Sequence, residues 1–179
     1  MSRLVSALRF AAQKHRMQRR KDAEASPYIN HPIDVAHILL VEAGVDDVVT
    51  LMAAVLHDTI EDTETSAEEL EQVFGTTVKD VVLEVTDDKS LPKLERKRLQ
   101  IEHAPHLSER AQLVKMADKI ANLRDVRIAP PAGWSEQRVR EYYDWAKAVV
   151  DPIRARHPGL AGLFDGAFSG RPKDPPGRS

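Results

Sequence analysis

Apolar residues recur at three- and four-residue intervals along most of the chain, which is the spacing of one buried face of a helix. Leu4, Leu8, Ala11 and Ala12 predict a first helix over roughly residues 3–18. Asp22, Ser26, Pro27 and Asn30 then form a loop. Pro32 suits the first turn of a second helix carrying Val35, Ile38 and Leu39 and stopping at Gly44. A third helix is predicted over about 46–58, with Val49, Met52, Ala53 and Leu56 on one face. Ser66 and Glu69 have capping-box spacing, so a short helix starts there and ends near Gly75. Another runs from Thr76 or Thr77 to about Val85. The polar stretch 87–107 gives no clear period. Ser108 can cap a long helix with Leu113, Met116, Ile120 and Leu123 inside. Pro130, Pro131 and Gly133 break the chain, and Ser135 opens a further helix kinked or ended by Pro152. No alternating strand pattern is sustained, and no internal repeat is evident. The pattern predicts an all-α, single compact bundle over residues 1–168, with a Pro/Gly-rich, disordered tail at 169–179.

A chain of 179 residues suffices for one domain with a real core. The formal charge of −2 implies no global attraction to nucleic acid or membrane. The run Leu51–Leu56 is too short to span a bilayer. Without cysteine there is neither a disulfide nor a thiolate metal site, which is compatible with a reducing, cytoplasmic compartment. Residues 1–21 are rich in Arg and Lys and free of acid. That stretch reads either as a transit peptide or as a first helix whose basic end faces phosphate.

The chemistry concentrates at HDTIED, residues 57–62. His57 and Asp58 sit at the end of an apolar helix, and Glu61 and Asp62 follow within one turn. With His31 before the second helix and Asp118 inside the 108–126 helix, they can complete a mixed imidazole–carboxylate metal site. Such donors suit manganese, iron, cobalt or zinc. Asn122 shares a helical face with Asp118. Glu61 or Asp62 fits the task of orienting a water and taking its proton. Singly these features are weak: a lone histidine is more often structural, and acids after a helix end are more often solvated. Arg16, Arg19, Arg20 and Lys21 suit a polyphosphate, since guanidinium pairs bidentately with phosphate oxygens. The run Lys93, Arg96, Lys97 and Arg98 reads as a surface face. His15, His37, His103, His106 and His157 lack carboxylates at useful spacing and read as non-ligands. Of Tyr142 and Tyr143, one belongs to the core and the other can reach a ligand.

Six stretches, AAQKHRMQRRKD, PYINHPIDVA, AAVLHDTIEDT, FGTTVKDVVLEVTDDKSLPKLERKR, LVKMADKIANLRD and GWSEQRVREYYDWA, span roughly residues 7–150. In them the chain resembles the HD-domain hydrolases, and among these the hydrolase half of RelA/SpoT alarmone enzymes. It is most similar to the small stand-alone alarmone hydrolases of metazoan SpoT-homologue type. The resemblance implies an α-helical HD domain that depends on Mn²⁺. Its activity would be removal of the 3′-diphosphate from ppGpp or pppGpp, giving GDP or GTP and pyrophosphate. It implies His31, His57, Asp58 and Asp118 as metal ligands and Glu61 and Asp62 as the catalytic acids. Arg20, Lys21, Asn122 and Tyr142 would contact substrate. It also disfavours the transit peptide, because cleavage after residue 21 would remove Arg20 and Lys21. The chain departs from the pattern at Ala121, where a larger side chain is expected, so base stacking or local packing differs there. The implied partner is a small nucleotide rather than nucleic acid or membrane, with the oligomeric state open. Three other readings compete with an alarmone hydrolase. One is an HD-type phosphatase of NADPH or another nucleotide, one is a sensor that binds without turnover, and one is a helical bundle with no site.

Overall fold

The computed structural model describes residues 2–22 and 24–175. Helix α1 spans Ser2–Lys14, α2 Asn30–His37, α3 Val48–Leu56 and α4 Thr59–Asp62. Next come α5 at Ala67–Phe74, α6 at Thr76–Val85 and α7 at Lys93–His103. The chain ends with α8 at Glu109–Ile128, α9 at Glu136–Val150 and α10 at Pro158–Phe168. Among the described residues the only strand-like pairing is an isolated bridge between Arg19 and Pro27. The fold is all-α, as the periodicity predicts.

Helix α3 is the axis of the core. Every residue from Thr50 to Leu56 is buried, and α1, α2, α6 and α8 pack around it. A helix that is apolar all round requires such neighbours on every side. Asp47 starts it: its carboxylate accepts from Thr50 N at 3.0 Å and from Thr50 Oγ1 at 2.7 Å. Ser66, Ser108 and Ser135 cap α5, α8 and α9 in the same way, accepting from Glu69 N, Ala111 N and Arg138 N. Gly75, at φ 89°, turns α5 into α6. Helix α9 ends at Val150; Asp151 still has helical backbone and donates to Lys147 O, but Pro152 has no N–H with which to carry the ladder on.

Four elements differ from the pattern. Helix α1 stops at Lys14 rather than near 18. Gln18 N donates to His15 O, and Tyr28 N to Gln18 O, in a turn from which Gln18 reaches Asp62 of α4 and Arg20 reaches Asp125 of α8. Helix α2 passes at Ile38–Glu42 into a π turn before Gly44. The polar stretch contains α7, which buries none of its residues, so apolar period could not reveal it. Helix α10 buries Leu160, Phe164 and Ala167, a helical spacing close enough to Pro158 and Gly159 to be obscured. Beyond it, Arg171 pairs with Asp144 at 2.7 and 2.9 Å. The last residues of the expected disordered tail, 176–179, lie outside the described set.

Asp47 also pairs with Arg110 at 2.8 Å. Hydrogen bonds from Arg110 and Thr50 hold its carboxyl down to about 2, from an ordinary 3.8. A depressed carboxylate stabilises the fold above its unfolded value, and that contribution is lost as pH falls through the folded one. Asp47→Ala should therefore cost about 1 kcal/mol, the usual worth of an N-cap. The deficit should be fully present above pH 4 and shrink toward pH 2, as read by urea unfolding at several pH values.

Candidate active site

His57 closes α3, and its Nδ1 lies 2.7 Å from Ala54 O. That bond keeps a proton on Nδ1 and turns Nε2 into the cavity, where it can ligate an ion that displaces its own proton. The chain then turns at Asp58, φ −99° and ψ 0°, into the single turn of α4. Asp58, Glu61 and Asp62 are therefore i, i+3 and i+4 and share one face. Tyr28, whose ring lies against His15 and edge-on to His31, donates its hydroxyl to Asp58 Oδ2.

His31 enters from α2 and Asp118 from α8. His31 Nε2 lies 3.2 Å from Asp118 Oδ1 and 3.9 Å from Asp58 Oδ2. His57 Nε2 lies 3.0 Å from Asp58 Oδ2 and 3.8 Å from Asp118 Oδ1. One donor atom each from His31, His57 and Asp118 falls within 4.8 Å of the others, a spacing that could hold a metal ion. The four residues named by resemblance thus meet, although they come from three separate helical segments.

The charge balance also favours a cation. The cavity here, about 170 Å³, is lined by five carboxylates, Asp58, Glu61, Asp62, Asp87 and Asp118, against two ammonium groups, Lys115 and Lys119. Burial opposes charge on His57, but Asp58 and Asp118 outweigh it and lift the imidazole to about 9. Burial would likewise raise Asp118, yet Lys119 and then His31 hold it well below the carboxylate range. Asp58 is held below its ordinary value chiefly by His57. His57 Nε2 is buried without a hydrogen-bond partner of acceptable geometry, although Asp58 is close. An orphaned buried nitrogen among carboxylates suits a divalent ion with mixed nitrogen and oxygen ligands.

Glu61 and Asp62 are held differently. Glu61 Oε2 accepts from the Asp87 backbone N–H at 3.1 Å, whereas Oε1 accepts no hydrogen bond from the described residues and stands 3.7 Å from Lys89 and 3.8 Å from Arg96. Burial, reinforced by neighbouring carboxylates, pushes Glu61 up. Asp62 is engaged on both oxygens, by Gln18 Nε2 at 2.9 Å and by Lys89.

A groove of about 1080 Å³ adjoins this cavity and includes Arg20, Lys21, Asn122 and Tyr142. Arg20 pairs with Asp125. Asn122 Nδ2 donates to Asp118 Oδ1 at 2.6 Å. Tyr143 is the core tyrosine, fully buried with its hydroxyl on Leu123 O, and Tyr142 is the one in the groove. Lys93 and Lys97 also line it rather than forming a plain surface face. Burial and crowding by Arg138, Lys21 and Arg96 push the Lys93 ammonium down. Arg98 does lie outside, paired with Glu95 and Glu102. Ala121 is buried in the apolar core. His37, expected to lack a carboxylate, faces Glu42 at 3.5 Å on the surface.

Sequence reasoning missed Tyr28, Lys119 and the groups that hold the acidic pair. Lys119 Nζ donates to Asp118 Oδ2 at 2.9 Å and lies 4.5 Å over the Trp145 ring. Its place beside Asp118 was the available signal. Gln18 and Asp87 gave none, since their contacts cross long stretches of chain.

A helical bundle that gathers His31, an adjacent His57-Asp58 pair and Asp118 around one cavity defines an HD-type protein. The HD domain family matches residues 7–155, and the chain belongs to it. The chain is 57% identical over 165 residues to the guanosine-3′,5′-bis(diphosphate) 3′-pyrophosphohydrolase MESH1 of Xenopus tropicalis, covering 92% of each. It is 56% identical over 170 residues to the Homo sapiens protein of the same name, covering 95% of each. Its fold matches a solved structure described as a metazoan ortholog of SpoT that hydrolyzes ppGpp, with a TM-score of 0.92, 50% identity and 96% of both chains covered. Among the described residues, no helix is long and apolar enough to cross a membrane.

Proposed function

We propose that the chain is a metal-dependent hydrolase that removes the 3′-diphosphate from ppGpp or pppGpp, leaving GDP or GTP and pyrophosphate. The carrying observation is the cluster of His31, His57, Asp58 and Asp118 with Glu61 and Asp62 at the edge of a long groove. Relatives of matching length carry that activity in their names. The reaction adds water across the bond between the 3′ oxygen and phosphorus. The phosphorus gains the water oxygen, and the 3′ oxygen leaves and takes a proton.

His31, His57, Asp58 and Asp118 would hold the ion, and we assign Mn²⁺ to them because their nitrogen and oxygen donors suit it. Bound there, a divalent ion supplies Lewis acidity to phosphate oxygen and acidity to water. Glu61 is our choice for the proton acceptor. Asp87 N–H fixes one of its oxygens, while the other meets Lys89 and Arg96 only as ion pairs at 3.7 and 3.8 Å, beyond hydrogen-bond reach, and burial raises its proton affinity toward the range useful to a base. Asp62, bonded on both oxygens, orients Gln18 and Lys89 instead. Arg20, Lys21, Asn122 and Tyr142 would contact the nucleotide. Phosphate would compete with Asp125 for the Arg20 guanidinium. We place the activity in the cytoplasm, where a free guanosine nucleotide is met.

The test is a product assay on purified protein with Mn²⁺. GDP and pyrophosphate should appear from ppGpp in equal amounts, and faster than phosphate appears from NADPH or deoxynucleotides. Intact ppGpp beside rapid dephosphorylation of NADPH would move the assignment to the other substrate.

A further inference from the structure

We propose that Lys115 and Gln100 are positioning residues: together they aim the Asp87 backbone amide at Glu61 and so hold the proton acceptor in place. The proposal rests on the assignment of Glu61 to that role.

Asp87 N–H is the group that fixes Glu61 Oε2, at 3.1 Å. Asp87 lies in the loop just after α6, where no helical bond holds the backbone. Two side chains from different helices grip the chain on either side of that amide. From α8, Lys115 Nζ donates to Val85 O at 2.9 Å. From α7, Gln100 Nε2 donates to the Asp87 carboxylate at 2.7 Å. Thr86 Oγ1, between them, donates back to Val82 O at 2.7 Å.

Lys115 is an unusual residue for its place. It is 7% exposed, on a helix whose neighbours Val114 and Met116 are fully buried. Burial pushes its ammonium down, and an apolar side chain there would avoid the cost of burying charge. Among the described residues its one hydrogen bond goes to the carbonyl two residues before Asp87, and its ammonium lines the same cavity as Glu61. Gln100 is similarly placed: its Oε1 is buried without a partner, and its amide reaches Asp87 from a helix that buries no residue. A small misplacement of a reacting group is expensive in rate, so a loop amide that aims a catalytic carboxylate needs restraint. The alternative is that Lys115 only neutralises the C-terminus of α6, which would affect folding and leave turnover intact.

The experiment compares Gln100→Leu and Lys115→Met, each alone and combined with Glu61→Gln, in the full chain with Mn²⁺ and ppGpp. Each single change should lower kcat by ~10- to 100-fold while KM stays within about twofold. In the Glu61→Gln background neither should lower the residual rate further, because the amide then has no base to aim. Gln100 is only partly buried, so Gln100→Leu should keep the wild-type melting temperature and serve if Lys115→Met folds poorly. Normal kcat in a folded Gln100→Leu protein would overturn the proposal, and so would losses that multiply with that of Glu61→Gln. Full activity in Glu61→Gln itself would instead remove the base assignment, and this proposal with it.

Discussion

Glu61→Gln is expected to lower kcat by ~10²- to 10⁴-fold, the usual contribution of a positioned general base. KM should change little, because Glu61 lies among the carboxylates of the cavity rather than among the basic groups of the groove. The substitution keeps the shape of the side chain and its acceptor for Asp87 N–H, but removes its ability to take a proton. Asp62→Asn should cost less, since both Asp62 oxygens are already bonded, to Gln18 and Lys89. The pH dependence has a definite sign. Glu61 is raised above its ordinary value by burial and must be ionised to act. The acid side of the kcat profile should therefore fall off at a higher pH than an exposed glutamate would give. Steady-state rates from pH 4 to 9, with bound metal measured in each sample, separate loss of base from loss of ion. A larger fall in Asp62→Asn than in Glu61→Gln would reverse the two roles.

The helices that make the core were legible because their apolar residues recur at helical spacing, although α3 proved buried all round rather than on the one expected face. Met52, Ala53 and Leu56 in α3, and Met116, Ile120 and Leu123 in α8, are fully buried. The serine caps were equally legible, because a cap is a local bond from residue i to residue i+3. Helix α7 was not: it is held by polar contacts such as Trp145 Nε1 to Lys97 O at 3.1 Å, and an apolar period has nothing to report there. The site divides along the same line. His57, Asp58, Glu61 and Asp62 occupy two consecutive turns, so their proximity could be read directly. His31 and Asp118 join them across 26 and 60 residues of chain, so the residue types could nominate them but only the resemblance tied them to the same ion. The groups behind the acids, Gln18, Asp87 and Lys115, act by single bonds to distant segments. Such bonds leave no mark in local order, which is why the orientation of Glu61 emerged from the fold alone.

Asp118→Asn should abolish metal-dependent turnover and also loosen the fold, and the two effects can be separated. One Asp118 oxygen faces His31 and Asn122, and the other accepts from Lys119. Removing the charge takes an anionic donor from the ion and should weaken metal binding by at least the ~10- to 100-fold known for groups one step further out. It also leaves the Lys119 ammonium, buried on α8, without its counter-charge. Breaking a buried pair from one side costs about 3–5 kcal/mol. The Trp145 face, 4.5 Å from the same ammonium, can offset up to about 2 kcal/mol of that. Asparagine can still accept a hydrogen bond, so the loss should sit at the low end, about 1–3 kcal/mol, or a melting temperature lower by ~2–12 °C for a domain of this size. Adding Lys119→Met removes the stranded charge and fills similar space. The double variant should recover most of the melting temperature while metal content and ppGpp hydrolysis stay lost. Recovery of activity in the double variant would mean that Asp118 serves the fold through Lys119 and does not hold the ion.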